Sequence, residues 1–284
     1  MKDERKIHTT FSDEDIEGTN AELKVGILGT VNPEGLPHLT MISTLQVGSP
    51  TEVIWGQFTE GTSKQHIRDN PKAGFLIMSL EREFWRGKAT WNRIERSGES
   101  FDMYNNQAMF RYNAYFGVHS VYFMDLVEHY GREVLPMGAV VGASVMTMLA
   151  AKLSGRREPE QVMNPWTRGL LDKVGDLKFL GFIGEDGYPQ LIPVIQAATL
   201  DPEHVIFSTG AFTAELDAIP EGPAAIFGMS LDMEDVLVRG EFEGIRNVLG
   251  VRCGVLKVNW VYNPMPPTPR QIYPEVEIEA VRFQ

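Results

Sequence analysis

The chain has 284 residues, 43% of them hydrophobic and 10% aromatic, which is enough apolar material to core one large domain or two ordinary ones. A net charge of −12 and a pI near 5.0 exclude a surface built to follow a nucleic-acid backbone, because that task takes Lys and Arg to neutralise phosphates. The single cysteine, Cys253, excludes an intrachain disulfide and any CxxC or Cys/His metal pattern, and is expected as a small buried residue.

The first twenty residues, "MKDERKIHTTFSDEDIEGTN", lack the apolar core of a signal peptide, and no run of about 18 apolar residues follows, so a cytoplasmic location is expected. "SDEDIEG" reads as an opening helix. Strands are then expected at "VGILGTV", "LPHLTMIST" and "EVIWGQF", the first two separated by the turn "NPEG". "FTEGTSKQHIRDNP", Phe58 to Pro71, reads as a loop and short helix, and "AGFLIMSL" and a strand through Arg86-Gly87 come next. The aromatic-rich stretch "NRIERSGESFDMYNNQAMFRYNAYF" precedes Gly117-Val118 and the strand "HSVYFMDLVEHY". His119 and His129 lie ten apart on that strand, too far to share a centre with Asp125, so no metal site is expected. From about Gly131 to Met163 the chain is expected to be helical, with "MGAVVGASVMTMLAAKL" too short to span a membrane comfortably and read as a buried helix. Asn164 and Pro165 then supply a cap and a first helical residue.

From there the chain repeats itself. "ILGTVNPEGLPHLTMI" from Ile27 matches "FLGFIGEDGYPQLIPV" from Phe179 without a gap, and the same offset of 152 positions carries "EVIW" onto "HVIF" and "IRDNPKAGFLI" onto "IPEGPAAIFGM". Turn glycines and prolines stay in step, as in Gly35/Gly187, Pro37/Pro189 and Pro71/Pro223. An Arg-Gly pair recurs as Arg239-Gly240, and a Gly-Val pair as Gly250-Val251. Between these two pairs the first copy is longer by twenty residues, an excess that lies within the aromatic-rich stretch. The aromatic residues of this region, Trp91, Phe101, Tyr104, Phe110, Tyr112, Tyr115 and Phe116, serve either as a wall over a bound substrate or as packing against the helical connection.

The stretch "TSKQ" admits two readings. Thr62 and Gln65 fit a capping box, with His66, Arg68 and Asp69 as a solvated face. Alternatively, Ser63 and Lys64 cradle an anion such as a phosphate. At the repeat offset they become Glu215 and Leu216, so the second copy cannot serve a dianion in the same way.

The order of these elements, and above all Thr-Ser-Lys six residues before Asn-Pro, resembles the flavin-binding split barrel of the pyridoxamine 5′-phosphate oxidase-like superfamily. The resemblance covers about residues 20 to 130 and, more weakly, 175 to 262. It implies a tandem, internally duplicated member: mainly β with α insertions, two six-stranded split β-barrels joined by a helical connection. The expected division is 1–131 for the FMN-binding barrel with its insertion at about 92–116, 132–163 for the connection, and 164–284 for a degenerate barrel. The resemblance further implies FMN bound with its phosphate at Thr62, Ser63 and Lys64, the ring edge near Thr40, Met41, Ile42 and Ser43, and ring or ribityl contacts from Gln57, Phe58 and Thr59. Trp85 and Arg86 lie where the family reaches the flavin; packing in a core is the other reading for Trp85, and the repeat at Arg239 gives Arg86 a structural alternative. The implied activity is an FMN-dependent oxidoreductase acting on a small substrate or electron donor, in a homodimer. The alternatives are a non-catalytic flavin- or haem-binding protein, or an F420-binding reductase. No catalytic acid or base is singled out, and the two barrels pair either within one chain or between chains.

Overall fold

Strand patterns punctuated by Pro/Gly turns are realised twice. The computed structural model describes residues 5–59, 61–111, 117–153, 161–230, 232, 234–265 and 269–277. The first half runs α1 (Asp13–Thr19), β1 (Lys24–Val31), β2 (Pro37–Met41), β3 (Gln46–Ser49), β4 (Glu52–Gln57), α2 (Ser63–Asp69), β5 (Lys72–Ser79) and β6 (Glu83–Glu95). It continues with α3 (Glu99–Asn106), α4 (Ala108–Arg111), β7 (Ser120–His129) and β8 (Glu133–Val134). Helix α5 (Met137–Leu153) leads to α6 (Pro165–Asp172), β9 (Leu177–Ile183), β10 (Pro189–Pro193), β11 (Ala198–Asp201) and β12 (His204–Ser208). The chain closes with α7 (Thr213–Leu216), β13 (Gly222–Met229), β14 (Asp235–Val248), β15 (Val251–Asn263) and β16 (Arg270–Tyr273).

Two sheets result, ordered β2-β1-β5-β6-β7-β4-β3 and β10-β9-β13-β14-β15-β12-β11, so the second repeats the first strand for strand. Each has eight strands, with β8 added to β6 and β16 to β15. The chain divides into two compact units, Met1–Val140 with Leu180–Pro193, and Val141–Phe179 with Val194–Gln284.

In the first unit Leu28, Val47, Trp55, Phe75, Ala89 and Tyr122, one residue from each of six strands, meet in a single core, every one of them 0% exposed. A sheet whose strands all send one face into the same cluster has curled on itself, and this is the split barrel. Trp55 stacks on Tyr122 at 3.9 Å between centroids. The "NPEG" turn forms as expected: Asn32 accepts from the Glu34 and Leu36 amides, and Gly35 takes φ +78°, which a side chain would resist. Ser12 caps α1 through a reciprocal bond with Asp15, and Asn164 caps α6 by accepting from the Thr167 amide.

Four expectations change. "LPHLTMIST" is not one strand: β2 ends at Met41, where the Ile42 amide turns back to the Gly26 carbonyl and Leu45 closes onto Ile42, freeing Gln46 to start β3. The Thr62–Gln65 capping box is absent, because Thr62 is itself in the helical region and its hydroxyl makes no cap bond. The two Arg-Gly pairs are not equivalent: Arg86 pairs across from Leu76, whereas Arg239 pairs across from Ala225, three places along β13 from Gly228, the residue that matches Leu76. The two pairs therefore sit at different register positions, although each glycine sits beside the bulge of its long strand, where a Cβ would run into a neighbouring carbonyl, Glu128 or Lys257. Helix in the connection begins at Met137 rather than near Gly131, and α5 is buried along one side only.

The aromatic insertion packs on its own barrel. Phe101, Tyr104 and Phe110 cover the outer face of β4 and β7 at Ile54, Val121 and Phe123, and the Tyr104 hydroxyl donates to the Thr44 carbonyl at 2.8 Å. Trp91 lies on β6 against the main core; Tyr112, Tyr115 and Phe116 fall outside the described residues. In the second unit α5 covers the matching face of β12 and β15, placing Ala150 against Ile206, Cys253 and Val255. Cys253 is buried there as a free thiol that desolvation pushes up to about 11. Among the described residues no helix is long and apolar enough to cross a membrane.

Candidate functional site

β2 and α2 approach each other on the first unit, and the residues that meet there are polar. Thr40 and Ser63, 23 positions apart, share a hydrogen bond of 2.6 Å between hydroxyls. Thr62 reaches the Nε2 of His38 at 3.2 Å, and Thr30 reaches the Nδ1 of His66 at 3.4 Å. The two imidazoles meet edge to face, 4.9 Å between centroids. Ser63 and Lys64 are both buried, at 3% and 8% exposure, while Thr59 and Thr62 are exposed.

The repeat shows this patch without its hydroxyls, imidazoles and ammonium. At the same offset the second copy has Phe182 for Thr30, Gln190 for His38, Ile192 for Thr40, Ala214 for Thr62, Glu215 for Ser63, Leu216 for Lys64 and Ala218 for His66. Burial keeps this register: Lys64 and Ile67 are buried, and so are Leu216 and Ile219, at 0% and 7%. Helix α7 nonetheless starts two places earlier in that register and spans only four residues. A position that the second copy fills with leucine therefore carries an ammonium group in the first. Taking that ammonium out of water has a desolvation cost that leucine does not incur.

Other residues expected at the site divide into near and far. Met41, Ile42 and Ser43 follow Thr40 at half-burial, with the Ile42 amide committed to Gly26. Gln57 is buried at the end of β4 and accepts from the Ser120 hydroxyl at 3.0 Å; Phe58 packs on Phe110, 5.3 Å between centroids. Trp85 and Arg86 stand on β6, separated from β2 by β1 and β5. Trp85 is 1% exposed beneath α1, where its ring blocks any side chain at Gly18 and its indole N–H donates to Asp15 at 2.7 Å. Arg86 forms a two-pronged pair with Glu133, both bonds 2.8 Å, and donates to the Leu191 carbonyl at 2.9 Å.

Arg86 also lines a small pocket with Arg5, Lys88, Tyr130 and Gln190. Its charges are largely compensated from within: Lys88 lies 2.7 Å from Glu128 and 2.8 Å from Asp186. Burial pulls the Lys88 ammonium down, and its bonds to those two carboxylates more than reverse that, raising it above the ordinary value. Among the described residues no cluster of three or more His, Cys, Asp or Glu could hold a metal ion. His129 instead stacks on Phe11 at 4.1 Å and bonds the Thr10 carbonyl at 2.9 Å.

His38 and Thr30 were not singled out from the sequence, and His66 was expected on a solvated face, whereas it bonds Thr30 and packs on His38. The signal was available in the repeat, whose gapless register replaces all three.

No protein-family model and no curated protein matches this chain. Solved structures do. HupZ of Group A Streptococcus is 18% identical over 42% of this chain and 91% of its own, with a TM-score of 0.35. An FMN-binding protein from Syntrophomonas wolfei is 16% identical over 41% of this chain and 82% of its own, TM-score 0.36. A protein described as F420 reductase is 12% identical over 42% and 98%, TM-score 0.34. At such identities and scores no ligand or activity passes from them to this chain.

Proposed function

We propose that the first unit binds FMN and that the protein is an FMN-dependent oxidoreductase acting on a small organic substrate or electron donor. The observation that carries this reading is Lys64, buried at 8% exposure where the second copy has Leu216, and next along α2 to Ser63, whose hydroxyl is bonded to that of Thr40. A buried cation and two hydroxyls on β2 and the first turn of α2 suit a phosphate monoester, since a dianion offsets the desolvation of the ammonium and accepts from both hydroxyls. His38 and His66, held by Thr62 and Thr30, extend the same polar face. Bound there, FMN would supply the hydride and electron chemistry that no side chain provides. The chain's own part is to hold the phosphate with Thr40, Ser63 and Lys64 and to shape the approach with Gln57 and Phe58.

The test is an absorbance titration of the purified protein with FMN, on wild type and on Lys64→Ala. Flavin bands saturating at about one per chain, with affinity at least about tenfold weaker in the variant, are expected from the loss of one charge-assisted contact. Wild type that takes up no flavin would end the reading; equal affinity in the variant would move the phosphate elsewhere. Bound flavin that neither NAD(P)H nor another donor reduces would make the protein a carrier rather than an oxidoreductase. Parallel titrations with F420 and haem distinguish those ligands.

A further inference from the structure

Helix α5 has two unlike sides. Val140, Ala143, Thr147 and Ala150 are buried at helical spacing, and Thr147 accepts the Ser208 amide at 3.1 Å, so this side belongs to the chain's own packing. The other side presents Val141 at 56% exposure, Val145 at 52%, Met146 at 46%, Leu149 at 49% and Leu153 at 71%. Their spacing lines them up along one stripe. Gly138 and Gly142 lie on the same side, with nothing within 4 Å of where a Cβ would stand. The remaining exposed large hydrophobics are scattered over both units, whereas these five occupy four turns of one helix.

We propose that this face of α5 joins two copies of the chain in a symmetric pair. Charge is the first argument for a second copy. The chain carries −12, so most faces repel themselves, yet Met137–Leu153 contains no acidic residue and a single cation, Lys152. Like meets like here without like-charge contact, as a two-fold interface requires. Shape is the second. Open glycines one turn apart let a partner helix approach closely, and the branched and flexible side chains around them fill the grooves. Area is the third. The stripe offers on the order of 500 Å² of apolar surface per copy, so pairing removes about 1,000 Å², the lower bound of a specific interface. A membrane surface fits less well. An interfacial helix uses a free face rich in Lys and Arg, whereas the opposite side of α5 is packed on its own sheet and the chain would approach anionic lipid with a large negative charge.

Sedimentation velocity over a wide concentration range decides it, on wild type, on Val145→Glu/Leu149→Glu, and on Leu23→Glu/Leu80→Glu as a control that adds the same charge at exposed sites elsewhere. A dimer in wild type and control, weakened at least about a hundredfold in the α5 variant, is expected. Monomer at every wild-type concentration would overturn the proposal, and so would a dimer indifferent to the α5 charges. If the double variant fails to fold, single cysteines at Gly142, Val145, Met146 and Leu149 take its place. At least one should give an interchain disulfide on mild oxidation, and none doing so overturns the proposal. Wild-type monomer captured by phosphatidylcholine vesicles, and released by the α5 charges, would make the face a membrane surface instead.

Discussion

Arg86 and Lys178 are cations at 1% exposure that solve burial in opposite ways. Arg86 has a full countercharge in Glu133, whereas the Lys178 ammonium donates to the carbonyls of Lys173 and Ile195, at 3.0 and 3.3 Å. Dipoles compensate a charge less well than an ion does, so burial lowers the Lys178 pKa to about 8, with Asp176 and Asp172 resisting the shift. Between pH 8 and 10.5 the unfolded chain holds this proton more tightly than the folded one, so stability contributed at this site rises with pH across that window. Relative to Lys178→Met, the wild type should gain on the order of 3 kcal/mol from the bottom of the window to the top. Parallel urea curves for the two chains at several pH values would expose the trend, and curves that keep a constant separation would sink it. At this scale the sequence was partly legible. Ser63 and Lys64 could be picked out because their repeat partners, Glu215 and Leu216, have the wrong chemistry. Trp85 could not be placed, because a strand aromatic looks the same whether it faces a ligand or, as here, α1 and Asp15.

Among the elements, the helices that cover β4/β7 and β12/β15 are the instructive case. Each barrel exposes an apolar face on those strands, and a different part of the chain covers it: α3 and α4 in the first unit, α5 in the second. The extra length of the first copy thus replaces a cover that the second copy takes from the connecting segment. Tyr104 fastens the first cover by burying its ring and donating to Thr44, and burial holds its phenol well above the usual range, so it stays a donor. Tyr104→Phe removes the donor and leaves a buried carbonyl short of a partner, a loss of about 1–2 kcal/mol. Chemical denaturation measures it, and a variant as stable as wild type would mean that apolar contact alone holds the cover. The longer strands were readable, in chain order, from turn residues and apolar runs, whereas the short β3, β8, β11 and β16 were not. The Arg-Gly misalignment shows where such reading stops, because pairing register is set by bulges and partners that lie far away in sequence.

Across the whole molecule, duplication gives each half a control that shares its topology. The same strand order is built with this set of hydroxyls, imidazoles and ammonium at α2 and without it at the matching positions of α7 and β10, so the set is not a requirement of the fold. Lys64→Leu makes the first copy resemble the second at the decisive position. Leu216 shows that leucine suits that environment at 0% exposure. In ligand-free protein the substitution should raise stability by about 1 kcal/mol, since an apolar side chain replaces a buried ammonium. It should also abolish the flavin uptake proposed above, a trade of function for stability. Melting temperature without FMN and titration with FMN separate the two effects. If Lys64→Leu melts below wild type without ligand, Lys64 serves the fold rather than an anion, and the difference between the halves loses its functional meaning. If it melts above wild type and no longer takes up flavin, the second copy is what the first becomes once freed from binding phosphate.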